Sequence, residues 1–286
     1  MEPVASNIIF KKIKEESLIP PIPEGVLKAR ELINDENSSL KEIASFIERD
    51  PSIAAKILRL ANSAYYGFAR KIDTIETALI VLGVKTTYHL LEGISLVSSF
   101  SGVIDKKFLN RLARHSIFVA IASTVISRML DVNFHGVEYT AGLVHNLGLA
   151  AMRVVLPRES IIIEQHGDPI LISCHREMEL IGISHCEIGN MLADHWQLPE
   201  HIGEAMRTHH GAINDDKDLV IPSLIRYAIR VVDLIFDLDN AHRNEDDEPL
   251  VLSKDHFASC LQDGDVISEV KKGIGKADGI VDLLLS

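Results

Sequence analysis

The chain has few cysteines, and this scarcity excludes small proteins that are held together by cross-links. Only Cys174, Cys186 and Cys260 occur in 286 residues. An odd number of cysteines without paired spacing argues against a disulfide scaffold and against a zinc site built from cysteines. We therefore expect a protein of a reducing compartment whose stability comes from the packing of its core.

Positive charge and aromatic side chains are also in short supply. The chain carries 29 Lys and Arg against 41 Asp and Glu, a net charge of −12, and 5% of its residues are aromatic. A broad nucleic-acid surface needs a basic face, and so does attraction to an anionic membrane. A small basic group near Tyr65 and Tyr66 keeps nucleic-acid binding as a minor alternative. Its members are Lys56, Arg59, Arg70 and Lys71.

Long hydrophobic runs are missing as well. The longest apolar segments, such as residues 117–126, are too short and too interrupted to cross a bilayer. The first residues do not show the basic segment followed by an apolar stretch that defines a secretory signal. We expect a cytoplasmic protein that does not associate with membranes.

No segment alternates strictly between apolar and polar residues, so the sequence predicts helices rather than strands. Apolar residues nevertheless make up 47% of the chain, which is enough for a sizeable core. Helix N-termini are marked by a capping box at Ser39 and Glu42, by Asp50 before a proline, and by Asp105 before a long helix. The predicted fold class is all-α.

The sequence indicates three consecutive parts. An N-terminal helical bundle is predicted for residues 1–103, ending at a boundary near Gly102. Residues 104–236 are predicted to form a second helical domain. Residues 237–286 are predicted to hold an acidic loop, rich in Asp, Asn and Glu as solvent-exposed segments are, and short helices that complete the domain.

One apolar helical stretch, residues 139–148, carries the polar pair His145 and Asn146 in its interior. We expect Gly148 to cap the end of this helix, as glycine commonly does. Another histidine, His115, lies on an apolar face of the long helix. A histidine in such a place is more often a hydrogen-bonded core residue than a metal ligand, so position alone decides nothing.

Further histidines occur near helix ends in the second half of the chain. His185 follows Ser184 in a second capping box and should lie in the first turn of its helix. The positive end of the helix dipole disfavours imidazolium there, which predicts a neutral imidazole of the kind that binds metals. The next helix is expected to start at Pro199 and to end at His209 and His210.

The order of these residues resembles the metal-site pattern of the HD phosphohydrolase superfamily. In that pattern a histidine on one helix precedes a His-Asp pair, two later histidines and a last carboxylate. The resemblance implies possible ligands at His115, His145, Asn146, His185, His209, His210 and Asp233. This chain departs from the pattern at Asn146, which stands where the superfamily has an aspartate that holds or bridges metals.

Two longer segments resemble the HDOD (HD-related output domain) family, a degenerate branch of that superfamily. The first runs from Asp50 to Gly67 and continues at residues 72–79 and 82–83. The second consists of Glu177, Gly182, His185, Gly189, Trp196, Leu198-Pro199 and His209-His210. Together they cover roughly residues 18–236, and they imply an N-terminal helical bundle packed on a degenerate HD-like helical domain.

The resemblance implies a bacterial signal-transduction output module that docks onto signalling proteins in trans, including cyclic-dinucleotide or two-component modules. The two signatures should meet in a cleft between the two parts. We expect that cleft to be the regulated element, with Tyr65, Tyr66, Glu177 and Trp196 as its interaction residues.

Two interpretations of the histidine site stay open. In the first, which we favour, the site is a relic: no catalytic residue and no cofactor is required, and the histidines hydrogen-bond one another. In the second, the histidines and Asp233 still bind one divalent metal such as Fe, Zn or Ni, since imidazole suits these ions. The second interpretation allows a metal-dependent phosphohydrolase, although bound metal need not mean turnover.

Overall fold

Helices account for nearly all the regular structure of this protein, as the missing strand pattern predicts. The structure, a computed structural model, describes residues 6–14, 18–35, 37–62, 66–68, 70–210, 220–236 and 263–276. Within these ranges the only strand-like pairing is an isolated bridge between Ser101 and Ile104. The predicted all-α fold class is confirmed.

The described residues form fifteen α-helices. In chain order they are α1 (Ser6–Lys14), α2 (Glu24–Asn34), α3 (Leu40–Ile47), α4 (Pro51–Ala61), α5 (Ile75–Leu82), α6 (Val84–Ser98), α7 (Lys106–Met129), α8 (Val137–Val144), α9 (Leu147–Val155), α10 (Pro157–His166), α11 (Cys174–Ile181), α12 (His185–His195), α13 (Glu200–Thr208), α14 (Val220–Ile235) and α15 (Asp263–Gly275).

The helix N-termini form where the capping residues place them. Ser39 and Glu42 make the expected capping box at α3, and Asp50 accepts hydrogen bonds from the backbone N–H groups of the first turn of α4. Asp105 caps α7 by accepting from the backbone N–H of Phe108. These bonds satisfy N–H groups that have no partner inside the helix. Pro199 occupies the N-cap of α13.

The second part of the chain is built around α7. This 24-residue helix packs against α8, α14 and α15. Close approach of α8 depends on Gly142, because a Cβ at this position would lie 2.6 Å from the Cα of Ala120. The core helix therefore fixes the depth at which His115 and its neighbours are held.

The N-terminal helices pack directly on the second part. Helix α6 packs on α8, α2 packs on α6, and α1 packs on both α9 and α12. The Nζ of Lys12 donates to the carbonyl of Val155 over 2.9 Å. The division into parts at residue 103 stays a prediction.

The C-terminal predictions fall largely outside the described residues. The acidic loop at residues 237–248 lies there, and of the short helices expected after it only α15 is described, packed on α7 and α14.

A bilayer demands that a helix crossing it has about 20 consecutive, mostly apolar residues. Among the residues described, no single helix meets that demand; α5 and α6 meet it only when taken together, and they are bent by 111° at the break between them.

Candidate metal centre

Five histidines from four elements meet in one buried cluster. His115 comes from the middle of α7, His145 from the break between α8 and α9, and His185 from the first position of α12. His209 and His210 follow α13. The ring centroids of successive members lie 4.5–5.5 Å apart, from His115 to His145, His145 to His209, His209 to His185, and on to His210.

The side chain of His185 is fixed from two sides. Ser184 and Glu187 form the predicted capping box, which sets the start of α12. Glu177 of α11 then accepts a hydrogen bond from the backbone N–H of His185 at 2.7 Å and contacts its Nδ1 at 2.6 Å. Glu177 is fully buried, so this residue, predicted to face an interaction cleft, lies inside the protein against a histidine.

The predicted neutral state of His185 is wrong for the chain without a metal. Burial opposes a charge on its imidazole, but negative charge on Cys174 and Glu177 outweighs burial and raises the pKa of His185 well above its ordinary value. Burial in turn raises the pKa of the Glu177 carboxyl, with His185 acting against it. Glu177 at 2.6 Å and Cys174 at 3.9 Å from the ring nitrogens have more influence than the helix dipole, because charge–charge interactions are strong at short range.

His209 behaves in the opposite way. Burial, followed by the nearby rings of His210, His145 and His185, lowers its pKa well below the ordinary histidine value. Its Nδ1 lies 2.9 Å from the carbonyl oxygen of Met206, and its Nε2 lies 3.1 Å from the Nε2 of His185. Without a metal, a protonated His185 therefore donates to a neutral His209.

Asn146 occupies the N-cap of α9 without capping it. The residue is buried, and its Oδ1 has no hydrogen-bond partner among the described residues. A buried carbonyl oxygen without a partner is costly, which makes Asn146 an unsatisfied position in the site. Its neutral amide supplies neither the charge nor the second oxygen of the aspartate in the HD pattern.

Gly148 has a different role from the predicted one. It lies inside α9 and does not cap a helix, so the predicted C-cap is wrong. A Cβ at Gly148 would lie 2.0 Å from the carbonyl oxygen of His185 and 2.9 Å from the backbone N of Gly189. Gly148 therefore allows α9 and α12 to touch at the level of the histidines.

Two groups of side chains have ligand atoms close enough to share a metal ion. His185, His209 and His210 form one group, and Cys174, His185 and Cys186 form the other. His115, His145 and Asp233 belong to neither group, although all three are buried. The residues present thus fit the metal site of the HD pattern only in part, because the half that includes Asn146 lacks its charged ligand.

Two of the cysteines lie closer together than their spacing in the sequence suggests. Cys174 opens α11 and Cys186 is the second residue of α12, and their Sγ atoms lie 2.6 Å apart. A hydrogen bond from Cys186, opposed by burial and helped by His185, lowers the pKa of the Cys174 thiol to about 4. The same contact, together with burial, raises the pKa of Cys186 well above its ordinary value. Cysteines separated by eleven residues are thus neighbours in the fold.

The remaining predicted interaction residues divide between core and surface. Trp196 is 3% exposed, its Nε1 donates to the carbonyl of Pro20 over 2.9 Å, and its ring contacts Phe100. It joins the two parts from inside, so a partner cannot reach it in this conformation. Tyr65 lies outside the described residues, while Tyr66 stacks on Phe68 at the surface.

Tyr66 lines a cavity between the two parts of the chain. The cavity has a volume of about 530 Å³, with Tyr66, Phe68 and Val81 on the N-terminal side. Arg128, Val132 and Tyr139 are among the lining residues of the second part. The lining includes Tyr66 from the first signature and no residue of the second, so the expected meeting of the two signatures in one cleft stays a prediction.

Comparison with known structures supports the fold. A solved HDOD domain protein of unknown function from Geobacter sulfurreducens has a TM-score of 0.67 at 23% identity, covering 97% of this chain and 95% of that one. A protein from Shewanella amazonensis SB2B, named as a candidate phosphohydrolase, has a TM-score of 0.68 at 19% identity over 97% and 98% of the two chains. Identities this low establish similarity of fold.

Sequence comparison reaches further relatives. An uncharacterized protein of Treponema pallidum (strain Nichols) is 26% identical over 196 residues, which is 67% of this chain and 37% of that protein. The chain thus spans little more than a third of the length of this curated relative. The family model described as the HDOD domain matches residues 19–212, well over half of the chain. The chain belongs to the HDOD family.

Proposed function

We propose that this chain is a bacterial signalling module that acts by binding partner proteins and does not hydrolyse phosphodiesters. The observation that carries the proposal is Asn146, a buried neutral residue whose Oδ1 has no partner among the described residues. A hydrolytic site of this superfamily pattern would need a carboxylate at that position.

The proposed loss of hydrolysis follows from the charge of the metal ligands. Hard-metal sites use carboxylates because their negative charge offsets the dehydration of the cation and stabilises the metal-activated water. Asn146 offers one neutral oxygen, and His115 and His145 are neutral when they ligate. These neutral ligands would leave the site with too little negative charge to hold two cations beside a phosphodiester.

The name of one similar protein supports a signalling role. A solved protein of Marinobacter aquaeolei VT8, named as a candidate signal transduction protein, has a TM-score of 0.68 at 20% identity. This chain covers 61% of that protein, so the shared fold occurs there within a longer chain. We propose the same class of role here, with signalling proteins of the bacterial cytoplasm as partners in trans.

The cavity lined by Tyr66 supports a docking role for the cleft. Apolar side chains stand exposed around it, with Phe68 at 42%, Val81 at 41% and Val132 at 39% exposure. Exposed aromatic and aliphatic side chains beside a concave site are typical of protein-binding surfaces. Arg128 and Asp131 add charges of both signs to the same lining.

The first test compares wild type with Asn146→Asp for hydrolysis and for binding of Mn²⁺. We expect no turnover of a generic phosphodiester or of cyclic dinucleotides by the wild type. The variant buries a carboxylate where the amide was, so without metal its free energy of unfolding should fall by about 1–3 kcal/mol. Added Mn²⁺ should restore that stability in the variant only.

Asn146→Ala is the control for this test, because it removes the unsatisfied oxygen without adding charge. Its stability should not respond to Mn²⁺. Metal-dependent turnover by the wild type that is lost in Asn146→Ala would overturn the proposal.

The docking site is tested by a photo-cross-linking amino acid at position 68, with position 161 as the control. Ile161 is 54% exposed on α10, away from the cavity lining. We expect a partner cross-linked from position 68 alone, whose purified form binds Tyr66→Ala about tenfold more weakly than wild type. Equal binding of the two proteins would remove the cleft from the proposal.

A second candidate function is a phosphohydrolase that uses one metal. His185, His209 and His210 place ligand atoms within 4.8 Å of one another, which favours it, and so does the name of the Shewanella relative. Turnover by wild type that is abolished by His210→Gln but preserved in Asn146→Ala would support this function against the first.

A further inference from the structure

We propose that Cys174, His185, Cys186 and His209 form a tetrahedral site for one Zn²⁺ ion. The site is separate from the half of the histidine cluster that contains Asn146. The site is compatible with the proposed signalling role, but it takes His185 and His209 from the one-metal phosphohydrolase and leaves no open position for a substrate.

The four ligands lie at the starts of two helices and directly after a third. Cys174 and His185 are the first residues of α11 and α12, where the caps Ser173 and Ser184 fix both helix starts. Cys186 is 5% exposed and His209 3% exposed, so the site is dry on one side. Cys174 is partly exposed, which gives an ion a way in.

Most distances between the candidate ligand atoms are close to those of a tetrahedral zinc site. Zinc–sulfur bonds of about 2.3 Å and zinc–nitrogen bonds of about 2.0–2.1 Å imply tetrahedral edges of about 3.6 Å from S to N and about 3.3 Å from N to N. Each Sγ lies 3.9 Å from the Nε2 of His185, and the Sγ of Cys186 lies 3.8 Å from the Nε2 of His209. The two Nε2 atoms are 3.1 Å apart.

Two edges depart from a tetrahedron: the sulfurs lie too close together, and Cys174 and His209 must approach each other on binding, since no group of mutually close ligand atoms among the described residues contains both. The Sγ atoms of Cys174 and Cys186 lie 2.6 Å apart, whereas two sulfurs on one zinc need about 3.8 Å. Side-chain rotation of Cys174 can open this edge, because Cys174 is the more exposed of the two.

Both imidazoles are oriented with Nδ1 toward an oxygen acceptor. The Nδ1 of His185 lies 2.6 Å from Glu177, and the Nδ1 of His209 lies 2.9 Å from the carbonyl of Met206. When each Nδ1–H donates to its oxygen, each Nε2 presents a lone pair to the centre of the cluster. Metal-binding histidines are commonly held in this way by a carboxylate or a carbonyl.

The chemistry of the four ligands favours zinc. Two thiolates and two imidazoles form a soft, tetrahedral set that suits Zn²⁺ and poorly suits Mg²⁺ or Ca²⁺. On binding, the S–H bond of Cys186 breaks, two Zn–S bonds form, and the thiol proton passes to solvent together with the proton shared by His185 and His209. No oxidant is needed for this step.

The experiment titrates reduced, chelator-treated protein with Co²⁺, a spectroscopic substitute, and then with Zn²⁺. We expect one equivalent of Co²⁺ to give thiolate-to-cobalt charge transfer in the near ultraviolet and the intense visible bands of tetrahedral cobalt. One equivalent of Zn²⁺ should abolish both. Glu177→Gln should weaken Zn²⁺ binding by about 10–100-fold, the usual effect of losing a carboxylate behind a ligating histidine.

Cysteine variants decide the assignment. Cys174→Ser and Cys186→Ser should each lower the intensity of the charge-transfer bands by about half or more, because each removes one of the two thiolates, and the double variant should abolish the bands. Should Cys186→Ser fail to fold, Cys174→Ser is sufficient, because its side chain is only partly buried. Cys260→Ser makes the same substitution at the remaining cysteine and should leave the spectrum unchanged.

The contrary results are equally clear. Bands of undiminished intensity in Cys174→Ser, or bands that weaken in Cys260→Ser, would place the metal elsewhere. Reduced wild type that shows no thiolate band, combined with a covalent link between positions 174 and 186 in protein taken from cells, would replace the zinc site by a disulfide pair.

Discussion

A single carboxylate organises the centre of the histidine cluster. Glu177 contacts both the backbone N and the Nδ1 of His185, and it does so from full burial. The two bonds connect α11 with the first turn of α12, so they fix a side chain and a helix start together. Hydrogen bonds to charged groups contribute more to stability than neutral ones.

Replacement of Glu177 by Gln tests this role in metal-free protein. The amide keeps the shape of the side chain but loses the negative charge, so the free energy of unfolding should fall by about 1–3 kcal/mol in a denaturant titration. Glu179→Gln is the matched control on the same helix, because Glu179 is exposed and paired only with surface side chains. Equal stability of the two variants would contradict the role of Glu177.

At the scale of helices, the contact of α9 with α12 leaves no room for a side chain. The Cβ of an alanine at Gly148 would collide with the carbonyl oxygen of His185, a backbone atom that cannot rotate away. Gly189 faces Gly148 across this contact, and a Cβ at Gly189 would lie 3.7 Å from the Cα of Gly148, an ordinary contact distance. The spacing of α9 and α12 beside the histidine cluster thus depends on Gly148.

Gly148→Ala should therefore separate the two helices. We expect the free energy of unfolding to fall by about 1–3 kcal/mol or more, the usual result of overpacking. Gly25→Ala is the control, since a Cβ at Gly25 in α2 meets nothing within 4 Å. That substitution should be neutral or raise stability by up to about 1 kcal/mol, as alanine favours helix over glycine. Thermal melts of the two variants would distinguish the outcomes.

The helix starts could be predicted because their causes are local. Ser39, Asp50 and Ser184 hydrogen-bond N–H groups two or three residues away, so the sequence contains the whole interaction. Gly148 was assigned the wrong role because its constraint comes from α12, nearly forty residues later. A rule based on neighbours in the chain cannot represent such a contact.

The candidate site could be predicted in part for the same reason. The order of the histidines reveals the cluster through family resemblance, whereas the meeting of Cys174 with Cys186 depends on how α11 turns into α12. Glu177 belonged to a recognised signature, but its bond to His185 required the structure. The useful signal would have been three polar residue types, Cys, Glu and His, flanking two adjacent helix caps.

At the scale of the whole molecule, a buried ion pair lies where the N-terminal helices meet the second part. Arg30 of α2 donates to Glu92 of α6 over 2.6 Å and to the hydroxyl of Tyr88 over 2.8 Å. It also reaches the carbonyl of Gln197, in the turn before α13. Burial disfavours ionisation of Glu92, but bonds from His89, Tyr88 and Arg30 outweigh it and lower the pKa of Glu92.

Arg30→Met should lower the free energy of unfolding by about 3 kcal/mol near neutral pH, because it leaves a buried carboxylate without its cation. The pKa of Glu92 is lowered by folding, so its contribution is present above the ordinary value of 4.5 and is lost as pH falls through the folded-state value. The difference between wild type and variant should therefore shrink at low pH. Denaturant titrations across the acid range would measure it, and a constant difference would contradict the assignment.

The position of Trp196 gives the protein a built-in optical reporter. It is the single tryptophan of the chain, and its indole is enclosed where Pro20, Phe100 and the end of α12 come together. Its fluorescence should be shifted to the blue by this apolar enclosure and should move to the red when the N-terminal helices leave the second part. Whether a bound partner opens the molecule or leaves it closed can thus be followed in solution without any label.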